Sequence, residues 1–332
     1  MLKNRLRALI YIGIAIPFIA LPLVLGDYYL NILLLMLIWM VVAISYRLLA
    51  ATGELSLGHV VVMGIGAYTS VLLMRHLGFS FWVSAPLGGL TAALFAAATA
   101  YPLFRMKGFY FLLGSFAIGE AVRLSWVRWI RPFGGSAGLR YIPSPSLGSF
   151  TFNTTFSYYY LTLGVAAACL AIMYLIDQSR VGRTLVAIHS QDWLCESLGI
   201  NILGYKTLAY ITASFFAGIA GALMAYFLGM ISPPLFGLTS MLYLLVWVIV
   251  GGLNTFWGPI VGVLTLVSIQ EQIRIRAIEY TPMFYGIVLI IVVFALPGGL
   301  ESLPQRITAW RKARRERRVR LKEINRFAIR KC

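Results

Sequence analysis

The chain reads as a series of long apolar runs separated by short polar gaps. The runs are ~17–23 residues long, the length that crosses a hydrocarbon core as a helix, and they lack the alternation of a barrel strand. They predict spans near 8–26, 30–50, 56–74, 81–103, 108–127, 158–176 and 207–229. The apolar stretch 240–297 is interrupted at Gly251-Gly252-Leu253-Asn254 and again at Gly258-Pro259. Parity resolves it. One crossing over 240–268 would put the basic C-terminal segment and the polar stretch 179–206 on opposite sides. Two short crossings, 240–251 and 257–272, followed by a last span at 283–297, put both inside, as the positive-inside rule requires. The expectation is an all-α integral membrane protein. It is a polytopic helical bundle of 8–10 transmembrane segments with broken or short helices and both termini cytoplasmic. Short crossings need protein or a polar cavity around their open backbone.

Composition supports this class. The chain is 60% hydrophobic and 12% charged, where a soluble domain carries roughly 25% charged residues. The net charge of +17 invites a nucleic-acid reading, but twelve of the 28 Lys and Arg follow Pro304. That divides the chain into a transmembrane domain, 1–304, and a basic cytoplasmic tail, 305–332. The tail fixes topology and is drawn to anionic lipid; no stacking motif or nucleic-acid-binding fold accompanies it. The N-terminus has a basic start and a long apolar run with no small-residue cleavage site after it, so it reads as a first span rather than a signal peptide. Cys169, Cys195, Cys332 and three histidines form neither a metal-ligand spacing nor a disulfide framework. There is no GxxxxGK[ST] or HExxH, so nucleotide hydrolysis and zinc-protease chemistry are not expected of this chain, nor is a bound cofactor.

The polar interruption from Ser179 to Lys206 stands out. Arg180, Arg183 and Lys206 mark it as cytoplasmic, and it is long enough to form a short helix outside the membrane. A multi-spanning protein with such a hinge docks something there.

Three further stretches carry candidate chemistry. Thr52 to Tyr68 holds Gly53, Gly58, Gly64 and Gly66, residues that permit either close helix packing or unwound turns meeting a solute. Ser56, Gly58, His59, Gly64 and Tyr68 are therefore candidates for a translocation path. Gly251 and Gly252 join them, because Gly252–Gly258 echoes Gly53–Gly58 as a Gly-punctuated gap entering a helix. Glu54 and His59 are five apart, a poor same-face spacing; they form either a proton relay or, with Glu54 near the membrane surface, a helix start with polar packing. Glu120 is an intramembrane carboxylate costing ~2.5–3.5 kcal/mol at mid-bilayer, so it faces the bundle interior. Arg123, on the same helical face, is its natural partner, which leaves a structural ion pair and a solute-path role both open. Finally, the Gly-, Ser- and Pro-rich loop Phe133–Ser146 falls outside, with Tyr158–Tyr160 as an interfacial anchor. It is either an ordinary loop or a contact for an external partner.

Nine blocks in order now resemble one family: GELSLGHVVVMGIGAY, KGFYFLLGSFAIGEAVR, GGSAGLRYIP, SRVGRTLVAI, ESLGIN, YKTLAYITASFFAGIAGAL, ISPPLF, VGGLNTFWGPIVG and FALPGGL, spread over roughly 45–300. The chain resembles the permease subunits of bacterial branched-chain amino acid ABC importers of the LivM/LivH type, with the LivM branch favoured. The resemblance implies a multi-pass protein of the bacterial inner membrane. Its implied partners are a second, LivH-like permease, two cytoplasmic ATPases that use ATP and Mg, and an external solute-binding protein. It also implies that 179–201 is the segment coupling the permease to the ATPases. Arg180, Arg183, Asp192 and Glu196 would be its polar contacts, with Gly182 and Gly199 bounding its helix. His189 stands where the family carries Arg, and Trp193 and Cys195 replace smaller or aliphatic residues, so the docking pattern is altered. The implied activity is alternating-access import of branched-chain amino acids. The alternatives are urea or short amides on the same scaffold, or a stand-alone proton-coupled carrier using Glu54, His59 or Glu120.

Overall fold

The computed structural model describes residues 25–148, 150–277, 283–288 and 299–302, with positions 22 and 290. The expected first span at 8–26 lies almost wholly outside the described residues, as do the basic tail and most of 283–297. The long helices are α1 (Asp27–Ala50), α2 (His59–Leu77), α3 (Phe81–Phe104) and α4 (Phe109–Arg128). A four-residue α5 (Ile130–Phe133) follows, then α6 (Thr155–Gln178), α7 (Arg180–Ser190), α8 (Asp192–Ser197), α9 (Ile202–Leu228), α10 (Leu238–Gly251) and α11 (Gly258–Ala277). Among the described residues six helices are long and apolar enough to cross a membrane, the last of them extended back to Pro233 through a 3₁₀ turn. The protein is a polytopic helical membrane protein. Each expected span between 30 and 272 has a helix on it.

The chain divides into two compact units, 1–247 and 248–332. In the first, α9 packs against α3, α2 and α1, and α1 also packs against α6. A helix that is hydrophobic all round belongs in the interior, and α1 meets that description, with most of its length buried. The junction of α2, α3 and α9 is made by glycines. A Cβ on Gly66 would fall on the backbone of Gly218, one on Gly218 would meet Gly89 and the Gly88 carbonyl, and one on Gly88 would reach the Gly66 carbonyl. Without a water-driven hydrophobic force between helices in lipid, such close approach supplies the packing. Hydrogen bonds cross the same interfaces: Ser70 donates to Ser84 at 3.0 Å, Ser84 meets the Tyr226 hydroxyl at 2.9 Å, and the Tyr158 hydroxyl donates to the Leu223 carbonyl at 2.7 Å.

The two ends of this bundle differ. At one, the segment between α4 and α6 is more than a loop. Strand β1 (Leu139–Arg140) pairs antiparallel with β4 (Met230–Ile231), and β2 (Ser146–Leu147) with β3 (Phe150–Thr151). Arg75 donates to the Arg140 carbonyl at 2.6 Å, Trp82 to the Ser146 carbonyl at 3.1 Å, and the Ile142 amide to the Gly229 carbonyl at 3.0 Å. These bonds tie the ends of α2, α3 and α9 to one cap. At the other end lie α7 and α8.

In the second unit, the gap before α11 is closed by a residue far along the chain. The Glu301 carboxylate accepts from the amides of Asn254 and Thr255, both at 3.0 Å, and from the Thr255 hydroxyl. The expected echo between the two Gly-punctuated gaps holds in the backbone. Gly53 has φ +87° and Gly252 φ +113°, each lying between the end of one helix and the start of the next.

Candidate functional site

Predicted site residues fall into three places in the first unit, and the richest is the end bearing α7 and α8. The Ser179 hydroxyl caps α7, accepting from the Val181 amide at 3.1 Å. The helix is amphipathic: Leu185 and Ile188 are buried, and Leu185 packs with Leu48 of α1 and Ala209 of α9. Each such side chain contributes about 1.5–3 kcal/mol, enough to hold a three-turn helix on the bundle. Gly182 lies inside the first turn rather than at the boundary, because a Cβ there would strike the Asp177 backbone. At Gln191 the chain bends into α8. Gly199, φ +79°, closes α8, its amide donating to the Glu196 carbonyl at 2.9 Å. Arg180, Arg183, His189 and Glu196 are exposed, and Arg183 donates to the Gln178 carbonyl at 3.2 Å. The largest outward projections are apolar: Trp193 is 70% and Leu198 73% exposed.

Among the described residues three ion pairs fasten this end, and all escaped sequence reasoning. Arg47, on α1 and 4% exposed, holds Asp177 at the end of α6 at 2.7 Å. Lys206, in the second turn of α9, reaches Glu54 at 2.9 Å and Asp192 of α8 at 3.5 Å. Glu54 is buried within the protein. Beside it, the His189 ring sits so close to Gly53 that a Cβ there would lie 2.6 Å from Nδ1. The available signal was the isolated charge at the inner edge of an apolar run: Arg47, Glu54, Asp177 and Lys206 all have that character.

The second place is the turn into α2. The Leu57 amide donates to the Ser115 hydroxyl at 3.0 Å, and the Gly58 amide to the Ser56 hydroxyl at 3.2 Å. These two amides are thus occupied by protein hydroxyls. His59 Nε2 lies 2.9 Å from the Ser45 hydroxyl, and its ring meets Tyr46 edge-on. Its Nδ1 and the Tyr46 hydroxyl are buried with no hydrogen-bond partner among the described residues. Higher on α2, Gly64 lies under Trp126 and Phe236, while Tyr68 packs against Trp126, Phe133 and Phe236. The Tyr68 hydroxyl also lacks a protein partner. So the structure groups Ser56, Gly58 and His59, and separately Gly64 and Tyr68, with an aromatic wall that the sequence pattern does not reveal.

Glu120 is the third place. Its carboxylate receives Arg123 Nε at 2.8 Å, with a second bond to the other oxygen. Gly251 and Gly252 lie in the second unit, at the gap that Glu301 closes. Among the described residues no cluster of three or more His, Cys, Asp or Glu could hold a metal ion.

The permease component of the branched-chain amino acid transport system, as a sequence family, matches residues 28–293. The chain belongs to this permease family. The permease is 27% identical over 322 residues to the high-affinity branched-chain amino acid transport system permease protein LivM of Salmonella typhimurium, covering 90% of this chain and 74% of that protein. LivM of Escherichia coli gives the same figures. It is 25% identical over 289 residues to LivH of Salmonella typhimurium, covering 80% of this chain and 91% of LivH. No solved structure matches the permease. It is thus a multi-pass transport subunit rather than an enzyme.

Proposed function

We propose that the chain is the LivM-like permease of an ATP-driven importer of branched-chain amino acids in a bacterial inner membrane. It works beside a LivH-like permease, two cytoplasmic ATPases that use ATP and Mg, and an external solute-binding protein. The observation that carries this is the α7–α8 segment. It is a capped, amphipathic two-helix unit outside the apolar spans, seated on α1 and α9 by leucine packing and reached by Lys206 of α9 at Asp192, yet exposing Arg180, Arg183, Trp193, Glu196 and Leu198. A carrier sufficient in itself has no use for such an appendage. The proton-coupled alternative draws less support, because Glu54 and Glu120 are each paired with a cation on the protein and His59 faces a serine and a tyrosine.

In this reading α7–α8 faces the cytoplasm and docks in a groove of an ATPase, with both termini on the same side. The β-paired cap at the far end faces the solute-binding protein. Alternating access is a rocking of the bundle between two states that the docked ATPases favour differently. Ser56, Gly58, His59, Gly64, Tyr68 and Glu120 remain the candidates for the path in the first unit, with Gly251 and Gly252 in the second. The domain division, with a basic tail from 305, stands as part of the proposal.

The test is purification of the tagged chain from its host in mild detergent, followed by identification of what accompanies it. A second permease and P-loop ATPases, lost when 187–199 is scrambled, are expected. ATP-dependent uptake of radiolabelled leucine into vesicles should fall with Arg183→Glu and with Gly199→Pro, since proline cannot adopt φ +79°. A homo-oligomer that moves leucine without ATP would overturn the reading.

A further inference from the structure

We propose that Lys206 is the positioning residue through which the coupling segment acts on the turn that opens α2. The proposal rests on the functional reading above and assigns to one ammonium group the link that reading leaves unspecified.

The geometry is asymmetric. An ammonium has three donors and serves two carboxylates at once. Its bond to Glu54, at 2.9 Å, lies in the protein interior, whereas its contact with Asp192, at 3.5 Å, is looser and Asp192 is 48% exposed. A buried carboxylate cannot leave its cation without meeting the full cost of desolvation, but an exposed one leaves into water at little cost. The Glu54 bond is therefore the fixed half of the pair and the Asp192 bond the exchangeable half.

The second Glu54 oxygen supports the same view. Among the described residues it is buried with no hydrogen-bond partner, so the carboxylate has capacity there for another donor. A site of this kind has room for a second arrangement of the ammonium as α8 moves.

The link is continuous on both sides. Asp192 opens α8 directly after the bend at Gln191, and His189, just before that bend, rests on Gly53. From Glu54 the chain runs to Ser56 and Gly58, where the Leu57 and Gly58 amides are held by serine hydroxyls, and then into His59 of α2, bonded to Ser45 of α1. Displacing α8 changes what Lys206 holds, and the change is felt first at 53–58.

Hydrogen exchange of the whole complex, purified from its host, tests this without knowledge of the solute. ATP with vanadate traps the ATPases, and exchange is compared with the nucleotide-free complex. In the wild type the trap is expected to change exchange at 53–58 at least threefold. Lys206→Met should retain the ATPases yet lose that change, and Lys206→Arg should keep it; Asp192→Asn, whose carboxylate is also a docking candidate, is compared at equal ATPase occupancy and should lose the change there. Asp192 is on the surface, so its variant reports even where Lys206→Met fails to fold. An unchanged nucleotide response in Asp192→Asn, or none in the wild type, overturns the proposal while leaving the importer reading intact. Absence of ATPases from the wild-type complex overturns both.

Discussion

Asp177→Asn isolates the worth of the ion pair between α1 and α6. Arg47 retains 4% of its exposure and Asp177 13%, so the substitution takes the carboxylate away from a buried, charged guanidinium. Breaking a buried pair from one side costs about 3–5 kcal/mol. Asparagine still offers one acceptor oxygen, which places the expected loss near the lower figure, about 3 kcal/mol. The reverse change, Arg47→Met, leaves the better-hydrated partner behind and should cost less, about 1–2 kcal/mol. The double variant Arg47→Met with Asp177→Leu removes both charges and fills the space, and should return to within about 1 kcal/mol of the wild type. Denaturation of the purified protein in mixed micelles, followed by tryptophan fluorescence, measures all three. If Asp177→Asn and the double variant lose the same amount, the uncompensated charge is not the source of the loss and the reasoning fails.

Gly218→Leu, which drives a side chain into Gly88, Gly89 and Ala92, should abolish a monodisperse peak on size exclusion; Gly164→Ala, where nothing lies within 4 Å, should not. Glu301→Gln keeps one acceptor but loses the charge, about 1 kcal/mol, and should speed amide exchange at Asn254 and Thr255 about fivefold; unchanged exchange would show that the carboxylate does not hold this gap. Trp193→Ala removes an exposed aromatic of the kind that dominates interfaces, and should weaken retention of the ATPases by about 2 kcal/mol in a pull-down titration; equal retention would place docking elsewhere on α7–α8.

The transmembrane helices are legible in the sequence because bilayer thickness writes itself into the chain as run length, and glycine with polar residues marks each interruption. That is why the residue pattern alone separates α10 from α11 at Gly251–Gly258. Start positions slip where side-chain bonds decide them. Ser56 and Leu57 continue the apolar run, but the hydroxyls of Ser56 and Ser115 hold the turn open and α2 starts at His59. Gly182 reads as a boundary because glycine ends helices more often than it sits within them, whereas here the Asp177 backbone requires it. Pairings are out of reach for a plainer reason. Arg47 and Asp177, Glu54 and Lys206, and Leu139 and Ile231 are each distant in the chain, and nothing local in either partner specifies the other. The path candidates are visible as residue types but not as groups, since the aromatic wall around Tyr68 comes from three separate segments.

The glycine junction of α2, α3 and α9 bears on how the permease works. Where helices meet through side chains, rotamers can re-sort and one helix can slide past the other. Where Gly66, Gly88 and Gly218 meet backbone to backbone, no such layer exists to re-sort. In the proposed alternating-access cycle these three helices would move as one block, and the strokes would fall to the seams built from side chains: α1 against α6, α4 against α2, and α7 on its leucine footing.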